Sequence, residues 1–548
     1  MKKSRILAFI TAAALPLSLL SCSDNSGSST DSSTASASEE TSSGGQPSGI
    51  DLGSLAIPYE PVSLDDYRPL IDELLEDIKE PGSRAKVKED ISRIITACNE
   101  LEDASTRICL NYYLDFSSEE LENEYDASLN DFTVFENLAR LAFTRCSEKD
   151  EYKSLVEDLL TDESRELYLP HIMTPKRVEG YTRVDFELRD EMLDEYYDIY
   201  DDEDMDIDEK ELKCAEIYLD ILSEADYDTL FLQYGRDFSP ELSNELTDVV
   251  IDEIFPAYLY LARVFLDLDG AEEIVNDELE IDGEPFDIIR KYSAKLSADI
   301  EKYANKIIDD ELFCMTSDEN AYPGSFTAEL PATDDAFIFV NGANRQAALN
   351  TSVHEFGHFF SYYAGDGRSF DPAFCIDVAE IQSQGFEFLF TQFYDDIFAE
   401  KSEAMKAFKV YDMLDSVIGG FMIGKFESTV LANRDDLTPE DVVDIWHDIS
   451  DGNLMISFWE VNHLFESPGY YLSYGTSALA AFDIWRECRK SPEKALKMYE
   501  NLAKVSPYSH DTFFCSTLDE CGFSDVMSES YIRSLAKEVR EYADSLKK

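Results

Sequence analysis

The chain has 548 residues, of which 44% are hydrophobic and 12% aromatic, a composition typical of a folded protein with room for two or three lobes. It carries 115 acidic and 46 basic residues, giving a formal net charge of −69. Such a surface repels phosphate backbones and anionic lipid head groups, so nucleic-acid binding and charge-driven membrane binding are excluded and small or cationic partners remain.

The first residues have the pattern of a secretion signal. Lys2, Lys3 and Arg5 precede an apolar run over residues 6–20 that is too short to span a bilayer comfortably. The run ends in Leu-Leu-Ser-Cys, which resembles a bacterial lipobox, where the chain is cleaved before the cysteine and lipid is attached to its thiol. An ordinary signal peptide with an incidental Cys22 is the alternative.

The segment that follows favours the lipoprotein interpretation. Residues 23–49 are almost all small or polar, so they cannot form a core and should act as a flexible tether. We therefore expect a signal peptide at 1–21, a lipidated Cys22, a tether over 22–52 and a protein anchored to the cell membrane on its extracytoplasmic side.

Cysteine usage leaves two interpretations open. Ten cysteines less Cys22 leave nine. Cys98 with Cys109, and Cys515 with Cys521, are close enough in sequence to pair. A chain of this length does not need disulfides, so scattered free thiols are an equal alternative.

The remainder divides into two parts by its hydrophobic pattern. Residues 64–310 repeat apolar positions at intervals of three and four with few glycines or prolines, which predicts helices throughout. Turn-rich pieces and short β-prone runs, notably 336–340, then appear. We place a boundary near residue 312, between an N-terminal helical domain (53–312) and a mostly helical catalytic domain with a small sheet (313–548).

The motif that indicates chemistry is His-Glu-Phe-Gly-His. His354 and His358 stand at i and i+4 of a predicted helix, on one face, where both can bind a single metal ion. Glu355 beside them can act on a bound water. Residues 350–352 predict the N-cap of this helix, and Gly365 predicts its end.

A second predicted helix supplies the remaining ligand. Glu380 lies on one face of a segment whose other positions are largely aromatic and apolar. A carboxylate in such surroundings must be paired or metal-bound, because an isolated buried charge is very costly. Glu380 is therefore the predicted third ligand, and Glu387 or Asp377 could hydrogen-bond a ligating histidine.

A third segment, residues 463–475, contains a Pro-Gly turn among clustered tyrosines. Peptide hydrolysis creates an oxyanion, and a tyrosine hydroxyl or the N–H of His463 aimed at it would stabilise that charge. The alternative is that these tyrosines only pack, since the chain has 30 of them.

These three segments, in this order, resemble the thimet oligopeptidase and oligoendopeptidase F family of zinc metallopeptidases. The resemblance covers roughly residues 322–485 at the level of motifs and rests on His354, Glu355, His358, Asp377, Glu380, Ser383, Gln384 and Glu387. Two positions depart from the family: Ser361 replaces a further histidine of many members, and Ser467 replaces a substrate-binding tyrosine of some.

The resemblance implies a fold and further roles. The fold would be mainly α: a two-lobed helical metallopeptidase with a small β-sheet beside the two-histidine helix and a deep substrate channel. His463 and Tyr474 would stabilise the oxyanion. An edge strand over residues 337–341, containing Phe339 and Asn341, would hold the substrate backbone by strand addition, and Tyr470 would also contact substrate.

The sequence thus predicts an extracytoplasmic, lipid-anchored metallopeptidase with one zinc ion per chain. Glu355 would assist the attack of water on short unfolded oligopeptides. The alternative from another functional class is a peptide-binding lipoprotein of the same fold with weak or no turnover. A different zinc hydrolase with the same two-histidine helix is a further alternative.

Overall fold

A computed structural model of the protein describes most of the chain after residue 54. The described residues are 55–80, 82–156, 192–193, 195–200, 202, 205–223, 231, 234–318, 320–342, 345–365, 375–450, 456–509 and 512–547. The expected signal peptide, Cys22 and the tether to residue 52 lie outside them.

The N-terminal part begins with three helices that pack on one another: α1 (Leu64–Asp77), α2 (Arg84–Leu114) and α3 (Glu119–Ser147). Their apolar residues recur at helical spacing, so one face of each helix is buried in a shared cluster. In α2, for example, Val87, Ile91, Ile94 and Leu101 lie in this cluster.

Shorter helices follow toward the sheet. They are α4 (Ile207–Ser223), α5 (Pro240–Val249), α6 (Phe255–Phe265), α7 (Ala271–Val275), α8 (Pro285–Ser293) and α9 (Ala298–Asp309). A π-helical turn, Val250–Ile254, joins α5 to α6. Apolar residues of α5 to α9 belong to the same core cluster as those of the helices that follow the sheet, so the core continues across the expected boundary at residue 312.

The sheet has three strands: β1 (Phe313–Thr316), β2 (Phe326–Leu330) and β3 (Asp335–Asn341). β3 lies in the middle, parallel to β1 and antiparallel to β2. Because successive side chains of a strand point to opposite faces, Ile338 and Val340 join the core beside the next helix, whereas Phe337 and Phe339 pack in a cluster with Leu110 of α2.

The C-terminal helices complete the described fold. They are α10 (Gln346–Ala364), α11 (Ile376–Phe390), α12 (Tyr394–Phe398), α13 (Ser402–Asn433), α14 (Pro439–Ser450), α15 (His463–Glu466), α16 (Leu472–Lys490), α17 (Pro492–Leu502), α18 (Phe514–Cys521) and α19 (Glu529–Ser545). Every residue of α11 is buried, and α11 packs against both α10 and α16. The prediction of a mainly helical fold with a small sheet is confirmed.

One local prediction is wrong, and one of the two open interpretations of the cysteines is excluded for Cys98 and Cys109. α10 begins at Gln346, not after residues 350–352, because the carboxylate of Asp277 accepts hydrogen bonds from the Ala347 N–H and the Gln346 amide, both at 3.2 Å, and so caps the helix from a distant segment. Cys98 and Cys109 lie three turns apart on α2, about 16 Å along its axis, which is too far for a disulfide.

Candidate metal centre and catalytic residues

Two histidine side chains of α10 face one point. The rings of His354 and His358 lie with their centroids 5.1 Å apart, and both side chains are buried. Within the described part of the chain, neither Nε2 atom has a hydrogen-bond partner. Buried polar atoms are nearly always satisfied, so this pair of nitrogens indicates a site for a cation.

α11 brings a carboxylate to the same point. Glu380 is fully buried, and its Oε2 lies 3.6 Å from the Nε2 of His354 and 4.0 Å from that of His358. The three candidate ligand atoms lie within 4.8 Å of one another. Ligand atoms around tetrahedral zinc, each ~2.1 Å from the ion, are about 3.4 Å apart, so small adjustments suffice. The donor set of two imidazoles and one carboxylate fits zinc.

Gly357 explains how the two helices come so close. A Cβ atom at this position would lie 2.6 Å from the Cα of Ser383 and 2.8 Å from the carbonyl oxygen of Gln382, both in the backbone of α11. Only glycine permits this approach, because neither backbone atom can move without moving the helix. The glycine of the motif therefore sets the distance between the two histidines and Glu380.

The orientation of His354 is fixed by a carboxylate behind it. The Nδ1–H of His354 donates to Glu387 Oε1 at 2.8 Å, which leaves Nε2 as the free lone pair for a metal. Lys409 of α13 donates to the other oxygen of Glu387 and also to Asp412 at 2.9 Å. Burial would raise the pKa of Glu387, but the charge of Lys409 and the hydrogen bond from His354 lower it below its usual value.

The charges around His354 favour a cation there. Burial alone would lower the pKa of this imidazole, yet the hydrogen bond and charge of Glu387, with the charges of Glu355 and Glu380, raise it to about 9. His358 responds in the opposite way: burial and the neighbouring charge of His354 hold its pKa well below the usual value. The site thus favours one positive charge between the imidazoles and the carboxylates.

Asp377, the other predicted partner of a ligating histidine, forms different contacts. Its carboxylate pairs with Arg236, at 3.1 Å from Nε, and accepts hydrogen bonds from the hydroxyls of Ser473 and Thr476. Arg236 and Asp377 are both fully buried. Asp377 therefore connects α11 to α16 and does not support a histidine.

Glu355 is buried next to the two histidines and faces the sheet. The hydroxyl of Thr327, on β2, donates to Glu355 Oε2 at 2.8 Å and to the Glu355 backbone carbonyl at 3.0 Å. Burial raises the pKa of this carboxyl to about 7, against the opposing effects of His354 and of the Thr327 hydrogen bond. A carboxyl with a pKa near neutral is suited both to accept and to return a proton.

His463 and the tyrosines form one buried aromatic cluster. The His463 ring centroid lies 5.0 Å from that of Tyr470 and 6.0 Å from those of Tyr471 and Tyr474. Burial lowers the pKa of His463 to about 4, so the imidazole is neutral at physiological pH and can offer one N–H.

Close contacts between helices hold this cluster beside α11, the helix that carries Glu380. Tyr474 lies near the start of α16, which packs along α11 and along α13. A Cβ on Gly420 of α13 would come within 2.3 Å of the backbone nitrogen of Gly475. The two backbones therefore touch, and the position of Tyr474 depends on this glycine pair.

The predicted substrate strand is wrong. β3 is the central strand, paired with β1 over residues 338–341 and with β2 over residues 335–339, so among the described strands it is not an edge strand. Phe339 is fully buried and stacks on Phe326, with centroids 5.4 Å apart. The side-chain amide of Asn341 donates to the carbonyl of Tyr322 at 2.7 Å. Both predicted substrate contacts thus have structural roles.

The sequence analysis missed three residues of this site. Thr327, Lys409 and Arg236 lie 28, 22 and 141 positions from the carboxylates that they contact. Lys409 is a lysine within a long apolar helix, which is the one pattern that could have marked it. Nothing local distinguishes Thr327 or Arg236 from other residues of their type.

Comparison with known proteins bears on the fold. No protein-family model matches the sequence, and no curated protein matches it. Solved structures do. The crystal structure of a protein described as an oligoendopeptidase F, from Bacillus anthracis str. Ames, superposes on this chain with a TM-score of 0.70 at 15% identity. The match covers 89% of this chain and 97% of that one. The chain shares the fold of these peptidases.

Two further structures agree. PZ peptidase A, solved with an inhibitor, has a TM-score of 0.64 at 15% identity and covers 89% of this chain and 99% of its own. A protein from Chlamydophila abortus, described as a peptidase, has a TM-score of 0.56 at 14% identity, and the match covers 91% of this chain and 99% of that one. The structural likeness extends over nearly the whole of each protein. It therefore includes the N-terminal helices, which lie outside residues 322–485, where the sequence motifs are found.

Proposed function

We propose that the protein is a zinc-dependent peptidase that hydrolyses short, unfolded oligopeptides. The observation that carries the proposal is the convergence of His354, His358 and Glu380 in a buried site, with two unsatisfied imidazole nitrogens and Glu355 beside them. The shared fold with oligoendopeptidase F and PZ peptidase structures supports the same conclusion.

The chain's own residues account for the proton transfers and charge stabilisation. One zinc ion, held by His354, His358 and Glu380, would polarise the scissile carbonyl and acidify the attacking water. Glu355 accepts the proton of that water and returns it to the leaving amine. Tyr474 donates a hydrogen bond to the developing oxyanion, and neutral His463 donates a second.

The substrate backbone is assigned to a different strand from the one that the sequence predicted. β2 pairs with β3 on one side, and among the described strands it has no partner on the other. Thr327 of β2 contacts Glu355, so a peptide added along this strand would pass close to the catalytic carboxyl. Tyr470, in the cluster with His463, remains the proposed side-chain contact to substrate.

The experiment that tests this function is digestion of a mixed peptide library by the purified protein, with the products mapped by mass spectrometry. Cleavage should stop when a chelator removes the metal and return when zinc is added. A protein that binds the peptides with micromolar affinity but leaves them intact would instead be a binding lipoprotein. A protein that cleaves equally well with and without chelator would not be a metallopeptidase.

We also propose that the protein works outside the cytoplasm, anchored by lipid on Cys22. Support comes from the Leu-Leu-Ser-Cys motif and the polar segment that follows it. Among the described residues, none of the helices is long and apolar enough to cross a bilayer. Replacing Cys22 by Ala should release the protein from membranes or block its processing. Retention of that variant on salt-washed membranes would contradict lipid anchoring.

A further inference from the structure

A short segment before α5 contacts several elements of the site at once. In residues 234–237, the Tyr234 hydroxyl donates to the carbonyl of Pro468 at 3.2 Å. Gly235, with a φ of +65°, packs against Cys375 at the start of α11 so closely that a Cβ would lie 2.8 Å from the cysteine Cβ. Asp237 accepts hydrogen bonds from the backbone of Cys515 and Ser516 on α18. The segment is therefore fixed at both ends.

Arg236, in the middle of this segment, joins α11, which carries Glu380, to the turn that precedes α16, residues 468–471. Its guanidinium is fully buried and pairs with Asp377, three residues before Glu380. A second nitrogen donates to the Gly469 carbonyl at 2.8 Å, and a third donates to the hydroxyl of Ser473 at 2.7 Å. One planar, rigid group thus fixes the register of α11 against the start of α16.

Glu427 of α13 binds the same turn, residues 468–471, through the N–H of Gly469. The N–H of Gly469 donates to Glu427 Oε1 at 2.7 Å, so both polar groups of this residue are bound by buried side chains. Its φ of +85° requires glycine. Tyr470 comes next in the chain, and its ring lies edge-on to Tyr234 with centroids 6.3 Å apart. The backbone that carries Tyr470 and leads into α16 therefore has little freedom.

We infer that Arg236 is a positioning residue for peptide hydrolysis. It acts through Gly469 and Ser473 to hold Tyr470 and Tyr474 at a fixed place relative to Glu380, so that their hydroxyls are already oriented when charge develops on the substrate oxygen. Small displacements of such donors lower turnover strongly and ground-state binding weakly. The inference rests on the proposed peptidase function.

The test compares two double variants that each remove a buried ion pair. Arg236→Met alone would leave the Asp377 carboxylate buried without its partner and could prevent folding, so Arg236→Met with Asp377→Asn removes both charges together. The matched control is Arg486→Met with Asp483→Asn, a buried pair 3.4 Å apart further along α16. Each protein is measured for metal content, kcat, KM and inhibition by a phosphinic peptide that mimics the tetrahedral intermediate.

We expect the Arg236/Asp377 variant to fold and bind one metal ion, with kcat lowered about 10- to 100-fold, KM within about 3-fold, and phosphinic-peptide affinity reduced in parallel with kcat. The Arg486/Asp483 control should keep the parental kcat. A folded, metal-loaded Arg236/Asp377 variant with parental kcat would overturn the inference, as would an equal loss of kcat in the control.

A milder variant keeps the test decisive if the double variant does not fold. Tyr234→Phe removes only the hydroxyl that binds the Pro468 carbonyl. It should lower kcat several-fold with unchanged KM and metal content, and a parental kcat would overturn the inference. If the parent protein cleaves no peptide, the proposed function fails and the inference fails with it. Parental turnover in variants of an active parent overturns the inference alone.

Discussion

Tyr474 is the residue whose hydroxyl is assigned most directly to the transition state. It is buried beside His463, and its hydroxyl can be removed while the aromatic ring is kept. Because the oxyanion forms only as water attacks, Tyr474→Phe should lower kcat about 100- to 1000-fold and leave KM and zinc content nearly unchanged. Steady-state kinetics on a single peptide will measure both constants.

Tyr531→Phe is the matched control, since Tyr531 is also buried and donates to a backbone carbonyl at 3.1 Å. It should keep the parental kcat. If Tyr470→Phe loses activity while Tyr474→Phe keeps it, the two tyrosines have exchanged roles. If neither matters, the cluster only packs.

Glu427 gives a pH dependence of stability with a definite sign. Burial raises its folded pKa to about 7, although the Gly469 N–H and the charge of Arg236 oppose the shift. Between its ordinary pKa of about 4.5 and pH 7, the folded state binds more protons than the unfolded state, so this group lowers the free energy of unfolding as pH rises, by about 3 kcal/mol in total.

Glu427→Gln removes this contribution and keeps an acceptor for the Gly469 N–H. The loss of stability between pH 5 and pH 8, measured by urea unfolding, should therefore be smaller in the variant than in the parent. Glu245→Gln, an exposed position on α5, is the control and should leave the difference unchanged. An unchanged difference in Glu427→Gln would mean that the carboxyl is already ionised at pH 5.

At the scale of elements, the spacing of α10 and α11 brings the three candidate metal ligands together. A side chain on Gly357 would meet the backbone of α11 at 2.6 Å, so Gly357→Ala should separate the helices and weaken zinc binding by at least 10-fold. Gly419→Ala on α13 is the control, because a Cβ there would have nothing within 4 Å. That variant should bind zinc normally and be no less stable, since alanine favours helix.

Competition for zinc with a chelating dye measures the affinity of both glycine variants. Equal affinity in Gly357→Ala and the parent would show that the two helices can adjust, and that the contact distance between their backbones does not determine metal binding.

The elements also show which predictions sequence can support. The helical spacing of His354 and His358 and the apolar setting of Glu380 are local patterns, so the sequence placed all three on helices that the structure brings together. The N-cap of α10 could not be found this way, since Asp277 is about seventy residues away. The edge strand at residues 337–341 was implied by the family resemblance alone, and the residues themselves could not correct it, because a run of apolar residues does not reveal how many neighbours a strand has.

At the scale of the whole molecule, the charge of −69 should influence which peptides are cleaved. An acidic surface attracts cationic substrates and accelerates their association, an effect that salt screens. For two peptides of equal length that differ only in Lys or Glu residues outside the scissile bond, kcat/KM should favour the Lys peptide by about 10-fold or more at low ionic strength.

The preference should decline as salt is raised toward 0.5 M, whereas kcat/KM of a neutral peptide should change little. A salt-independent preference would assign the selectivity to local contacts, and a preference for the Glu peptide would contradict steering by the whole surface.

The most direct test of the central claim measures zinc content and kcat on the same preparation of Glu355→Gln. Glu355 is assigned to proton transfer and His354, His358 and Glu380 to metal binding, so this variant should retain about one zinc per chain while kcat falls by at least 1000-fold. Glu380→Ala, prepared in parallel, should lose zinc. A Glu355→Gln protein that holds zinc and cleaves peptides at the parental rate would contradict the account.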